Sequence, residues 1–263
     1  MATSPPSRAP IALVTGASRG IGSVIAAQLA SRGVRVAIHY RNRRGEAEAV
    51  LSKLSGTGHE LFSADFAQPQ AAATLWREVT AKMGCVDILI NNAGLFVDHP
   101  PLSTTYEDWR SAWSLTLAAN LIGPADLSLL AAQHMNEREP VDPAFGRGRI
   151  VNISSRGAFR GEPDSPAYGA SKAGLNSLSQ SLAKALAPRA IYVYCLAPGW
   201  IETDMARGPL DGPGGADILA QHPLGRISQP EELANVAAYC ALDAPAAMTG
   251  GVIDVNGASY LRT

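Results

Sequence analysis

Short, almost wholly apolar runs alternate with longer helical patterns along this chain, and that alternation leaves few folds open. The candidate strands are IALVT (11–15), VRVAIH (34–39), ELFSA (60–64), VDILI (86–90), RIVNIS (149–154), IYVYCLA (191–197) and VIDV (252–255). Helical stretches fall between them at about 20–32, 45–55, 69–84, 105–135, 167–187 and 231–242. Strands without a polar face must be covered on both sides, and right-handed βαβ crossovers supply that cover. The expected fold class is α/β: a single doubly wound Rossmann domain with a seven-stranded parallel sheet and helices on both faces. No internal repeat or linker divides residues 10–263, so one domain is expected there. Residues 1–9 are polar and proline-rich, without the apolar stretch of a signal peptide, and read as a disordered tail.

Bulk properties exclude several classes. With a net charge of −1, nothing electrostatic points to nucleic acid or a membrane surface. No apolar run in the sequence suggests a bilayer span. Cys85, Cys195 and Cys240 are far apart and form no CxxC pattern, so they read as reduced residues of a cytoplasmic protein. The five histidines have no ligand spacing, and no metal site is expected. Two segments break the αβ rhythm. Residues 136–148 form a charged, proline-bearing surface excursion, and the Gly/Pro-rich stretch 203–225 reads as a lid loop over a substrate site.

The first strand runs directly into Gly16-Ala17-Ser18-Arg19-Gly20-Ile21-Gly22 and then a helix. Glycines at a strand-to-helix turn let backbone approach a phosphate and aim helix N-terminal amides at it. The spacing is GxxxGxG rather than GxGxxG. A glycine turn alone could simply close a tight corner; its place after the first strand favours a dinucleotide. Asp65, just past the third strand, is a candidate acceptor for an adenine amino group, or else a cap. Asn92, Ala93 and Gly94 close the fourth strand at the carboxyl edge, where such sheets bind ligands.

Tyr168 and Lys172 stand four apart in a helix of small residues, so a phenol and an ammonium share one face. A half-buried Tyr and a solvated Lys would be the plain reading of that pair by itself. The motifs TGASRGIG, NNAG, IVNISS, YGASK and APGWIETDM, in this order over residues 10–257, resemble the short-chain dehydrogenase/reductase superfamily. The likeness is to its single-domain branch, and most of all to its 3-oxoacyl-[acyl-carrier-protein] reductases.

That resemblance implies a catalytic set of Asn120, Ser155, Tyr168 and Lys172. Ser155 precedes Tyr168 by 13 residues, as in the family, which leaves Ser154 structural. Asn120 is chosen over Thr116 because Trp113, rather than Trp109, stands seven residues before an Asn-Leu pair, which implies a four-residue insertion upstream. In this scheme Tyr168 passes a proton, Ser155 donates to the substrate oxygen, and Lys172 lowers the phenol's pKa and holds the nicotinamide ribose. Asn120 holds a relay water behind Lys172. Pro198, Gly199, Ile201 and Thr203 border the nicotinamide, although Thr203 could equally be a helix cap. The family's C-terminal Val-Asp-Gly-Gly is here Val255-Asn256-Gly257-Ala258.

The second strand ends at Tyr40, where an NAD-preferring enzyme would carry an acid. Arg41 follows, and Arg19 lies in the glycine turn, so NADP is the expected cofactor, with NADPH preferred over NADH. The implied partners are a small carbonyl or alcohol substrate, free or carrier-bound, and further copies of the chain in a homotetramer. A sugar, polyol or steroid dehydrogenase is the alternative within the family. Two rival readings rank lower. A catalytically silent dinucleotide sensor would have lost Tyr168 or Lys172, and the epimerase/dehydratase branch would show GxxGxxG and a larger C-terminal region.

Overall fold

Side chains of β1 (Ile11–Val14) divide strictly between two cores. Ala12 and Val14 enter one apolar cluster, Ile11 and Leu13 the other, as the two-residue period of a strand buried on both faces requires. In the computed structural model, which describes residues 8–262, six further strands run parallel to it. They are β2 (Arg35–Tyr40), β3 (Glu60–Ser63), β4 (Ile88–Asn91), β5 (Gly148–Ile153), β6 (Ile191–Pro198) and β7 (Val252–Val255). Their order is β3-β2-β1-β4-β5-β6-β7. The fold is α/β with the seven-stranded parallel sheet that the apolar runs predict.

Helices cover both faces. One face carries α1 (Gly20–Ser31), α2 (Arg44–Leu51) and α10 (Pro230–Leu242), whose Ile25, Leu29, Ala47 and Leu233 join the first cluster. The opposite face carries α3 (Ala71–Met83), α5 (Gly123–Asn136) and α7 (Pro166–Leu186), through Leu75, Val79, Leu127, Met135 and Ala183. Each large aliphatic buried this way contributes roughly 1.5–3 kcal/mol. Between β1 and β4 the strand order reverses, and the chain leaves these two strands toward opposite faces. A crevice opens there at the carboxyl ends of the strands.

Four details depart from the sequence expectations. Arg8, placed in the tail, is held by the buried Asp87 carboxylate at 2.7 Å, and Arg138 reaches the same carboxylate at 2.9 Å; residues 1–7 of the expected tail lie outside the described residues. The helix expected at 105–135 is broken by a π-turn. After α4 (Tyr106–Leu117), residues Ala118–Ile122 form that turn before α5 begins. The run Tyr106–Asn136 is long and apolar enough, by length and composition, to cross a bilayer, against the expectation of no such segment. Its apolar residues serve several sides: Leu127, Ala131 and Met135 face the sheet, Leu115 borders the cleft, and Ile122 and Leu129 face outward. Finally, the stretch 203–225 is not a bare loop. It contains α8 (Asp204–Asp211) and α9 (Gly215–Ala220), with α6 (Gly157–Arg160) on the other side of the same opening.

Candidate active site

Of the residues assigned from sequence to cofactor and catalysis, all but Tyr40 and Asn120 line one cleft of about 350 Å³ at the strands' carboxyl ends. Its floor is the glycine turn. Gly16 and Gly20 have φ of 64° and 54°, in the left-handed region that glycine adopts without strain. A Cβ on Gly16 would lie 2.8 Å from the Ala93 Cα, and one on Gly22 would lie 2.4 Å from the Gly16 carbonyl oxygen. No side chain caps α1, whose N-cap residue Arg19 is extended, so the first amides of that helix open toward the cleft. These features fit a dinucleotide's pyrophosphate.

Asn92 clamps the turn from the neighbouring strand. Its Nδ2 donates to the carbonyls of Thr15 and Gly16 at 2.9 and 3.2 Å, and the Thr15 hydroxyl accepts from the amides of Asn92 and Ala93. Asn91 is structural: it donates to Ser128 Oγ and Asn152 Oδ1 inside the sheet. Asp65 lines the cleft and also accepts from the Ala67 amide at 3.1 Å, a local turn bond in the loop before α3 rather than a helix cap.

Ser155, Tyr168 and Lys172 converge where β5 ends. Ser155 Oγ accepts the Gly157 amide at 3.0 Å, which leaves its own proton free to donate. Burial pushes the Tyr168 phenol up to about 12, partly opposed by its hydrogen bond with Ser155. Burial also pushes the Lys172 ammonium down to about 8. Lys172 Nζ donates to the Ile153 carbonyl at 2.8 Å and stands 5.7 Å from the Tyr168 ring centre. Burial sets the direction of the phenol's shift, upward, against the expectation that Lys172 draws it down. Ser154, as expected of a structural residue, ties β5 to α7 by donating to the Lys172 carbonyl.

Asn120 sits in the π-turn, fully buried behind the cleft wall. Its Oδ1 accepts from the Leu95 amide at 2.7 Å, and its Nδ2 donates to the Leu95 carbonyl and to Ser171 Oγ. The side chain therefore braces the loop after β4, at Leu95, against α7 next to Lys172. Thr116, the rejected alternative, is also fully buried and does not line the cleft.

At the far end, Tyr40 is displaced from its expected position. It is buried in the core and only its backbone carbonyl, which accepts from Ala64, reaches across to β3. The reason is strand alternation: His39 takes the cleft side, so Tyr40 must take the other. Arg41, Asn42 and Arg43 follow along the cleft wall, with Arg43 paired to Glu46. Arg44 leaves the cleft for Glu48, while Arg19 reaches Asp204 of α8 at 3.5 Å across the opening. Thr203 and Ile201 line the same cleft; Thr203 is the N-cap residue of α8, yet its side chain makes no capping bond.

Three of the cleft residues that escaped the sequence reading carry aromatic rings. His39 accepts the Gly16 amide on Nδ1 at 3.0 Å, and its Nε2 lies 3.0 Å from the Ala64 carbonyl, which fixes a neutral ring with the proton on Nε2. Burial lowers its pKa to about 4. Phe66 stacks on that imidazole with ring centres 4.9 Å apart. Phe96 meets the Tyr168 ring edge-on at 4.8 Å. A histidine ending the run VRVAIH, after the apolar Val36-Ala37-Ile38, was the available signal for the first; the two phenylalanines sit in loops and gave none.

Residues 16–258 match a family described as "Enoyl-(Acyl carrier protein) reductase". The chain is 38% identical over 251 residues to the 3-oxoacyl-[acyl-carrier-protein] reductase FabG of Escherichia coli, which covers 95% of this chain and 97% of that one. It is 35% identical over 252 residues to the protein of the same name from Staphylococcus aureus, covering 95% and 98%. The family match spans the glycine turn, the Ser-Tyr-Lys cluster and the segment 203–225 alike. The chain belongs to the short-chain dehydrogenase/reductase family, oxidoreductases that act on ketone and CH–OH groups.

Proposed function

We propose that this chain is an NADP(H)-dependent reductase that interconverts a ketone and a secondary alcohol, with 3-oxoacyl compounds as the first substrate class to consider. The observation that carries the reading is the convergence of Ser155, Tyr168 and Lys172 beside an uncapped glycine-turn helix in one cleft. When bound, the nicotinamide supplies the hydride. Tyr168 delivers the proton to the carbonyl oxygen, and Ser155 donates a hydrogen bond to that oxygen as negative charge grows on it. A phenol near 12 stays protonated at neutral pH, as a donor must; Lys172 and the cationic oxidised ring favour the phenolate for the reverse reaction. Asn120 is a positioning residue here, bracing Leu95 against α7.

NADPH over NADH follows from Arg41, which lines the cleft and makes no ion pair among the described residues. A guanidinium so placed can fork onto a 2′-phosphate. Arg19 is the second candidate, at present shared with Asp204. The helices α8 and α9 act as the substrate lid. Ile122 and Leu129, seven residues apart, are 52% and 55% exposed, an apolar face that suits the helix-to-helix contacts of a homotetramer. Three free cysteines, two of them buried, suit a cytoplasmic location.

The test is to screen ketones for oxidation of NADPH and of NADH by the absorbance of the reduced ring. NADPH should be preferred, and Arg41→Ala with Arg19→Ala should erase most of the difference. Equal affinity for both nucleotides at low salt would remove the NADP assignment. A mass by light scattering equal to one chain would remove the tetramer.

A further inference from the structure

Arg156 follows the catalytic-site serine directly, lines the same cleft, and is only 2% exposed. It makes no ion pair among the described residues. Its partners are neutral: Nη1 donates to the Ser259 carbonyl at 3.3 Å and Nη2 to Gln221 Oε1 at 3.1 Å. Arg160, also on the cleft wall, donates from Nη1 to the same Gln221 oxygen at 3.1 Å. Two guanidiniums thus converge on one amide oxygen, presented by the residue that follows α9 of the lid.

Burying a cation without a counter-charge is costly, and natural proteins resolve the cost by pairing or by dense neutral solvation. Arg149 illustrates the second solution. It is fully buried away from the cleft, donates to the carbonyls of Phe145, Cys240 and Ala144, and lies over the rings of Phe145, Tyr192 and Tyr194. Arg156, which lines the cleft, has only two neutral acceptors among the described residues. The charge around it is unbalanced. Arg160 repels it, and the one carboxylate among the described residues that acts on it, Glu162, already pairs with Arg160 at 3.5 Å. Two guanidiniums against one carboxylate leave one positive charge beside Ser155.

We propose that Arg156, with Arg160, recognises a carboxylate on the substrate, which takes the place of Gln221 Oε1 and moves the lid residue with it. A single surplus charge matches a monoanionic carboxylate better than a dianionic phosphate. This rests on the ketone-reductase reading and narrows it: the substrate is an oxo acid, whose carbonyl carbon accepts hydride and whose carbonyl oxygen takes the Tyr168 proton. The neutral thioester of a carrier-bound oxoacyl group offers these arginines nothing to pair with.

The probes are pyruvate, acetoacetate and levulinate, which set the carboxylate at increasing distance from the ketone. Each is compared with its methyl ester, and acetoacetate also with its N-acetylcysteamine thioester. Binding is read by calorimetry on the full chain saturated with NADP+, where a ketone cannot turn over, and turnover is read separately with NADPH. At least one acid should bind about tenfold or more tightly than its ester, the gain of one charge-assisted pair. Arg156→Met should remove that preference, leave ester and nucleotide binding unchanged, and raise KM for the acid more than it lowers kcat. Arg156→Lys should restore part of the preference. Esters or thioester bound as well as the acids by the unaltered protein would overturn the proposal without needing any variant. So would an acid preference that survives Arg156→Met. Acid-selective binding with no NADPH consumed by any probe would keep the anion site and sink the reductase reading; turnover of neutral ketones alone would do the reverse.

Discussion

At the end proposed for the nucleotide the cleft is densely cross-linked, whereas the end proposed for the substrate rests on fewer contacts, the half-exposed Arg19–Asp204 pair among them. Gly16 is tied to β2 through His39, and its carbonyl is tied to β4 through Asn92, while Thr15 bonds both Ile90 and the two residues after β4. Every one of these bonds is buried or half-buried. Across the opening, α8 carries an internal proline at position 209, and α9 has only six residues. These helices are held by Arg19–Asp204, half-exposed on both sides, by the isolated Ile201–Ser228 bridge, and by Gln221 against two arginines. Exposed ion pairs of this kind contribute little, so local opening should begin at the lid. The difference suits the chemistry: a nucleotide is the same at each turnover, while the other substrate must enter and leave.

The largest expected effect tests where the two ends meet. Tyr168→Phe should lower kcat by about a thousandfold, within the usual range for a general acid, while the nucleotide Kd stays unchanged because the turn is untouched. Substantial turnover in this variant would reassign the proton donor. Phe96, edge-on to the ring, should hold the phenylalanine in the same position, so a change in nucleotide Kd would mean that the two ends are coupled through α7.

Next comes the pH response of the nucleotide end. His39 is buried neutral with a folded pKa lowered from 6.5 to about 4, first because burial disfavours the imidazolium. The unfolded chain takes up that proton near 6.5 and the folded chain does not, so stability falls as pH falls below 6.5 and the loss is complete near 4. Over that window the loss amounts to roughly 3 kcal/mol. Urea unfolding at several pH values should show it, and His39→Asn should flatten the profile in the same range. An unflattened profile would move the acid sensitivity elsewhere. Protonation also costs Nδ1 its acceptor for the Gly16 amide, so nucleotide affinity should fall in step.

A smaller effect comes from the turn itself. A Cβ placed on Gly22 would lie 2.4 Å from a backbone oxygen and 2.5 Å from Asn92 Nδ2. Overpacking of this kind costs about 1–3 kcal/mol, a factor of roughly 5 to 150 in nucleotide Kd if the turn absorbs it. Gly22→Ala should leave lid-end binding of neutral ketones much less affected. Equal losses at both ends would show that the turn also supports the lid.

These contrasts explain what the sequence revealed and what it hid. Apolar runs such as VDILI and IYVYCLA cannot be satisfied except between two helical layers, so the parallel sheet was legible without any structure. The glycine turn was legible because close backbone approach admits no other residue. Tyr40 was misplaced by counting to the strand end without assigning its two faces; the period of two put His39 in the cleft instead. The π-turn that seats Asn120 was invisible, since one extra residue in a helix alters hydrogen bonding without altering composition. The lid read as a loop because Gly and Pro dominate it, although its short helices need only a turn or two between them. The Gln221–Arg156–Arg160 junction joins residues 61 and 65 positions apart, a contact that only folding creates.

The smallest expected effect lies at the substrate end, in the turn after β7. Ala258 has φ of 60°, in the left-handed region where an alanine is strained by roughly 1–2 kcal/mol. Glycine at this position would relieve that strain, yet it would also loosen the unfolded chain by about 0.5–1 kcal/mol. Ala258→Gly should therefore stabilise the protein by up to ~1 kcal/mol, read as a rise in Tm of a few degrees at most. The neighbouring Ser259 carbonyl accepts from Arg156, and Asn256 packs where a Cβ on Gly199 would meet it at 3.1 Å. Any tightening should accordingly be felt in ketone binding, while nucleotide Kd, set by the cross-linked turn at the other end, stays the same. A loss of about 0.5–1 kcal/mol instead would mean that alanine is unstrained there and that the glycine only loosens the unfolded chain.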